Sequence, residues 1–366
     1  MKGARYCLVA VLWLSLWMAG ASGADYPMTI TDSAGRDVTI PMPVERIIVL
    51  SSDAAEAVEI LGASDRIVGI VDTIKKNGWY YPELEDCEVV GTWSEFDFEK
   101  IAEIALSGGD SIVPNILVIC YPPKMSGGKS YGVDAVEAGL APFGGIAVVG
   151  LDLYKDEALE GELAILGEIL GREGEAQAFL DWRHEMCEEV RDAVSGKSSP
   201  LVYFERTQPK GIGELKTNGA SAEINDLISD AGGENIFGDI SEESYTTDWE
   251  SVISRSPEVI LQASTAENLG WESGVSLQSI DLSKIRDEIL DRPGADIVPA
   301  IDQDRVWMIY RNILYGPDSV VGMTCMAKLF HPEADLDPDG VYQDYLEMKG
   351  LSFAGDRTLV FPQMEA

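Results

Sequence analysis

The sequence predicts an α/β protein: two Rossmann-like lobes with parallel-stranded sheets, joined by a single long helix. Three observations carry that expectation. Short apolar strands alternate with helices both before and after a central helical stretch, and this βαβ rhythm implies parallel sheets. The central stretch, 156–196, contains no strand-like run. A short motif recurs on either side of it. Asp97-Phe98-Glu99-x-Ile101 leads to Pro114-Asn115-Ile116-Leu117-Val118 in the first half, and Asp248-Trp249-Glu250-x-Val252 leads to Pro257-Glu258-Val259-Ile260-Leu261 in the second. The gap between the two parts is longer in the first half, and Ser107-Gly108-Gly109 marks the extra residues.

The central stretch has two parts. In Glu160 to Gly171, Leu163, Leu166, Ile169 and Leu170 fall at helical spacing, and Gly171 is placed to end the helix. In Glu173 to Val194, Ala176, Phe179, Leu180, Arg183, Cys187, Val190 and Val194 recur at steps of three and four, with acids at the start where the helix dipole favours them. About 22 residues at about 1.5 Å each span roughly 33 Å, the width of a small domain. Such a helix between two lobes of similar size reads as a strut.

The expected boundaries are a secretion signal at 1–24, an N-terminal lobe at 25–155, connecting helices at 156–196 and a C-terminal lobe at 197–366. Lys2 and Arg5 precede the apolar run Cys7 to Ala19, and small residues follow through Ala24. No Cys stands at the expected cleavage site, so a lipid anchor there is not expected. Thr29 to Ile40 reads as a hairpin turning at Ala34-Gly35. Arg46 to Leu50 is a buried strand, Asp53 can cap the helix Ala54 to Leu61, and Arg66 to Val71 is the next strand. In parallel sheets ligands sit beyond the carboxyl ends of strands. That rule makes Ser51, Ser52 and Asp53 pocket candidates. The aromatic loop Trp79-Tyr80-Tyr81 either binds something or packs over a lobe. Trp93 and Ser94 follow the short strand at Val89, and Tyr121 follows Asn115 to Cys120. In the second lobe Arg206 follows the strand Leu201 to Glu205, Arg311 and Asn312 follow Arg305 to Tyr310, and Tyr245 joins them as a candidate. A helix runs from about Asp318 to Phe330, and the last thirty residues read as helix and tail.

The formal net charge of −36 argues against nucleic acid and anionic membrane surfaces as partners. With only two His and no CxxC pair, no His cluster can build a zinc or catalytic site, and no GxSxG is present. Cys87, Cys120, Cys187 and Cys325 leave two disulfides or single buried thiols open. Gly127-Gly128-Lys129-Ser130 fails as a P-loop because Pro123 replaces the first Gly. Asp335-x-Asp337-x-Asp339-Gly340 lacks the closing Glu of a calcium loop, with Leu346 in its place, and reads as a helix-capping turn.

Thr31-Asp32-x-x-Gly35-Arg36-x-Val38, Pro41, Arg46-Ile47-Ile48, Glu56 and Leu61-Gly62 together resemble the start of a periplasmic substrate-binding protein. The class is the helical-backbone one that serves ABC importers of iron complexes, haem and vitamin B12. Gly232-Gly233-Glu234-Asn235-Ile236-Phe237 and Trp249-Glu250 through Ile260 resemble its second half. The resemblance implies a ligand cleft between the lobes, small closure about a rigid strut, and no enzymatic activity or resident cofactor. It implies an importer permease as partner, and docking acids on the first helix of each lobe: Glu56, then Glu223 or Asp226. The expected protein is a secreted, extracytoplasmic monomer held at the outer face of the cytoplasmic membrane through its importer. Its expected ligand is a metal chelate, a ferric siderophore-type complex first, with cobalamin or another corrinoid, haem or an oxyanion as alternatives. A chelatase-type enzyme on the same scaffold is the rival. Tyr121 and Tyr245 are expected to be able to ligand Fe(III), and Trp93, Tyr80 and Tyr81 to stack on a macrocycle.

Overall fold

The computed structural model describes residues 25–107, 109–122, 130–206, 212–266, 268–271, 282–352 and 357–364. The expected signal at 1–24 and most of the Gly127–Ser130 loop lie outside these residues.

The chain opens with a hairpin, β1 (Met28–Thr31) against β2 (Asp37–Ile40). Its turn is built on Asp32, which accepts from the Ala34 and Arg36 amides at 3.0 Å and pairs with the Arg36 guanidinium at 2.7 Å. The same carboxylate takes the Gly150 amide at 3.1 Å, which ties the hairpin to the sheet. Gly35, at φ +76°, supplies the left-handed position that the turn needs.

The first sheet follows. It comprises β3 (Arg46–Val49), then α1 (Ser52–Ile60), β4 (Ile67–Ile70), α2 (Asp72–Lys76), β5 (Glu88–Val89), α3 (Phe98–Leu106), β6 (Ile116–Cys120), α4 (Val133–Leu140) and β7 (Ala147–Gly150). Strand order is β5-β4-β3-β6-β7, all parallel. β6 is buried along its whole length, as a strand covered on both faces must be. Arg46 fastens the sheet to α3, donating to the Ile104 and Ala105 carbonyls at 3.2 and 2.9 Å and to the Asn115 side chain. These carbonyls end α3 and have no partner within the helix.

The connection is two helices, as the break at Gly171 predicts, and they fold back as a hairpin. α5 (Asp156–Leu170) ends at Gly171, φ +64°, and α6 (Glu173–Val194) runs back along it. A Cβ on Gly167 would stand 2.8 Å from the Ala176 Cβ, so the helices cross at a glycine. At the open end, Asp156 pairs with Arg183 and accepts the Ser319 hydroxyl at 2.8 Å, which pins both helices to the second lobe. At the closed end Arg66 donates to the Leu170 carbonyl at 2.9 Å.

The second lobe contains β8 (Leu201–Glu205), β9 (Leu215–Asn218), α7 (Glu223–Asp230), β10 (Glu234–Asn235), β11 (Ser244–Thr247), α8 (Trp249–Ser254), β12 (Val259–Ser264), α9 (Leu282–Leu290), α10 (Pro299–Asp302), β13 (Val306–Tyr310), α11 (Ser319–Phe330), α12 (Pro338–Met348) and β14 (Val360–Phe361). Its sheet order is β10-β8-β12-β13-β14. The expectation of parallel strands needs one correction here, because β14 returns antiparallel against β13. The recurring motif is a helix cap. Asp97 accepts the Lys100 amide before α3, and Asp248 accepts the Ser251 amide before α8. Each helix then feeds a central strand. Asp337 caps α12 by accepting the Gly340 amide at 3.0 Å, as the capping-turn reading expects.

The two faces of the second sheet feed separate apolar clusters. Val202, Phe204, Leu261 and Met308 join the core that runs through the helical hairpin into the first lobe, and Tyr203, Ile260 and Val306 join a smaller one around Trp249. That smaller side buries one ion pair, Arg292 with both oxygens of Glu205 at 2.7 and 3.0 Å. The four cysteines of the described chain are free thiols.

Candidate functional site

The carboxyl edges of the two sheets meet where the expected cleft should lie. After β3, Ser51 rather than Asp53 caps α1, accepting the Ala54 amide at 3.2 Å. This overturns the capping role expected of Asp53. The Asp53 carboxylate is free to accept the Tyr121 hydroxyl from the loop after β6, at 2.9 Å. Burial, then the nearby Glu56 carboxylate, push Asp53 up to about 7. The Tyr121 phenol is held well above its ordinary range by burial and by Asp53, so it stays protonated. A protonated phenol already donating to a carboxylate does not suit the expected role of an iron-binding phenolate. Across the junction, Tyr154 from the loop after β7 stacks on Tyr315 at 4.7 Å and 11°, and the Gly316 amide donates to the Tyr154 carbonyl at 2.9 Å. Gly316, φ +76°, lets this loop pass close to Asp53.

An aromatic ledge borders this floor. Trp93 is 55% exposed and lies 5.4 Å from the Tyr131 ring, which lies 6.5 Å from Tyr121. The Ser94 carbonyl accepts the Ser130 hydroxyl at 3.0 Å and fixes the Trp93 loop beside Tyr131. On the opposite lobe Arg311 and Asn312 are exposed after β13. Asp318 near it in sequence is buried and accepts the Tyr80 hydroxyl at 3.3 Å. Arg206 is exposed after β8 and donates to Ser244 at 2.8 Å, beside the β9–β11 strand pair. Arg206 and Arg311 both act to lower the Tyr315 phenol, although burial raises it more. Tyr245 packs its ring 5.6 Å from Phe237, in the second lobe's own small core, which does not fit the expected role of a cleft ligand.

Three expected roles fail on burial. Tyr80 and Tyr81 are not a free stacking platform. The Lys349 ammonium lies 3.3 Å from the Tyr80 ring centre and 4.6 Å from that of Tyr81, and the Tyr81 hydroxyl donates to the Ser52 carbonyl at 3.2 Å. Glu56 is only 6% exposed and accepts hydroxyls from Tyr80 and Tyr345, so it presents no charge to a docking partner. Glu223 is engaged at the hinge, accepting the Asp156 amide at 3.2 Å and pairing with Lys155 at 3.5 Å. Asp226 is exposed on the same helix.

Residues missing from the sequence-based set are Tyr131, Tyr154 and Tyr315. Tyr154 follows a strand end just as Tyr121 does, so the carboxyl-edge rule applied to β7 would have found it. Tyr131 carries no comparable local signal. Among the described residues no group of three or more His, Cys, Asp or Glu is arranged to hold a metal ion. Nor, among them, is any helix long and apolar enough to cross a membrane. An open hollow of about 610 Å³ lies beside edge strand β10, lined by Asn225, Asn235, Asp239 and Arg255, and touches none of the expected cleft residues.

Residues 143–310 match the model of a family described as periplasmic binding protein. A protein of Halobacterium salinarum named cobalamin-binding protein is 22% identical over 289 residues, 74% of this chain and 72% of its own. An uncharacterized ABC transporter substrate-binding lipoprotein of Bacillus subtilis is 21% identical over 313 residues, 84% of this chain and 87% of its own. The solved structure of the TroA-like periplasmic binding protein FepB from Veillonella parvula superposes with a TM-score of 0.71 at 21% identity, covering 92% of this chain and 99% of that one.

Proposed function

We propose, for a chain whose residues 143–310 match the periplasmic binding protein family model, that it is the extracytoplasmic substrate-binding component of an ABC importer and carries a metal chelate whole. The observation that carries this reading is the junction of two sheet edges. It presents an aromatic ledge, Trp93 with Tyr131, opposite exposed Arg311, and the described residues offer no ligand set for a bare metal ion. A cargo seen only through its organic shell suits such a site: aromatic faces take an apolar ring, and a guanidinium takes oxygen anions. The protein does no chemistry on that cargo.

Within the chelates, we take a corrinoid as the first reading. The case for direct iron ligation weakens because Tyr121 is committed to Asp53 and Tyr245 to Phe237. The halobacterial relative's name points the same way. A ferric siderophore-type complex is the second reading, supported by the same ledge and cation. Thermal-shift titrations with cyanocobalamin, a ferric hydroxamate, haemin and molybdate separate them. Cyanocobalamin should raise the melting temperature most, by mass action. A shift with the ferric hydroxamate alone would move the assignment to iron, and no shift with any of the four would remove the chelate reading.

A further inference from the structure

The acid that fails as a docking residue belongs to a buried cluster joining the lobes. From α1 come Glu56 and Glu59, with Asp53 at its edge; from the loop after α2 come Tyr80 and Tyr81, with Glu83 further out. From the second lobe come Asp318 ahead of α11, Tyr310 at the end of β13, Tyr342 and Tyr345 on α12, then Lys349 and Arg357. Lys349 pairs with Glu59 at 3.1 Å and stands 3.9 Å from Glu56, with its side chain wholly buried. Tyr80 bridges Glu56 and Asp318, and Tyr345 donates to Glu56 from the far side. Arg357 lies 3.7 Å from the centre of the Trp79 ring, which is itself 5.2 Å from Trp271.

Three carboxylates therefore share one buried ammonium. Like charges in a dry site cannot all stay ionised, and burial with this crowding favours the protonated forms of Glu59 and Asp318. The phenols donate to the carboxylates and cannot neutralise them.

We propose that α12 with Lys349 is a proton-operated latch: while Glu59 or Asp318 holds a proton the latch stays seated on α1 across the lobe junction, and loss of that proton lets it lift. The sign follows from the shifts. Burial pushes Glu59 up to about 7, against an ordinary value of 4.5, and Asp318 is raised too, by burial and by Glu56. The seated state thus binds more protons than the lifted one between those values. Its advantage is full below about 4.5, falls as the pH rises, and levels off above about 7.

Hydrogen exchange of the full chain, corrected for the intrinsic pH dependence of exchange, tests this. Between pH 5 and pH 7.5 the opening equilibrium for amides 341–350 should grow by about tenfold per pH unit, roughly a hundredfold in all, while those of the α5–α6 hairpin hold steady. The Glu59→Gln/Asp318→Asn double variant should lose most of that change. In Lys349→Met the carboxylates lose their counter-charge and hold the proton longer, so opening should keep rising above pH 7. Protection of 341–350 equal at both pH values in the wild type would overturn the latch. So would a wild-type change surviving in the double variant, or levelling at the same pH in Lys349→Met.

Discussion

Asp53 stands where the cleft and the buried acid cluster meet. It accepts from Tyr121 on one side and feels Glu56 on the other. Its folded value of about 7 lies above the ordinary 3.8, so folding is favoured by its protonation; that contribution is present below about 4 and lost as the pH rises through 7. Asp53→Asn keeps an acceptor for Tyr121 without the charge. The variant should melt above wild type at pH 8 and level with it near pH 4, by calorimetry at both. Glu56 carries the opposite lesson. Its place on the first helix is plain in the sequence, but what covers it, Tyr345 and Lys349, lies nearly three hundred residues away. No local pattern announces that return. Glu56→Arg should therefore unfold the junction, costing about 3–5 kcal/mol in urea denaturation, as expected for an uncompensated buried charge. Normal stability with reduced delivery to the importer would restore its docking role. Arg311, exposed beyond β13, behaves as a carboxyl-edge cation should. Arg311→Ala should leave the fold intact and weaken an anionic chelate by about 1.5–3 kcal/mol, roughly ten- to over a hundredfold. An unchanged dissociation constant would assign it to the scaffold.

At the scale of elements, the internal repeat was legible while the reason for it was not: Asp97 and Asp248 each accept a backbone amide at the start of equivalent helices in the two lobes. The capping turn at Asp337 was read correctly, whereas the cap expected of Asp53 belongs to Ser51. The apolar runs of β3, β6, β8 and β12 are central buried strands, where periodicity and burial agree. Elements set by distant partners were not legible. β9 and β11 pair across an intervening helix, and β14 is two residues long. The break at Gly171 between the connecting helices was legible, but the close packing of α6 back against Gly167 was not. The cap on α12 also holds the latch helix in shape. Asp337→Ala should cost about 1 kcal/mol of stability. It should raise exchange in 338–348 more than in α11, and a uniform loss across both helices would show that the cap serves the whole lobe.

For the whole molecule, the apolar core that passes from the first lobe through the hairpin into the second leaves little freedom for a hinge. The open end of the hairpin, with Asp156, Arg183 and Ser319, and the latch on the opposing α1 both act across the lobe junction. Ligand capture in such a frame depends on a nearly preformed site, so its loops should change little on binding. The ledge belongs to the first lobe and exposed Arg311 to the second, so the proposed chelate would touch both. Calorimetric titration of the chain with cyanocobalamin, repeated with Trp93→Ala and with Arg311→Ala, tests that shared site most directly. One corrinoid should bind per chain, and each substitution, from its own lobe, should weaken it by tenfold or more without lowering the melting temperature. No binding of the corrinoid, or binding indifferent to both substitutions, would contradict a corrinoid held between the lobes.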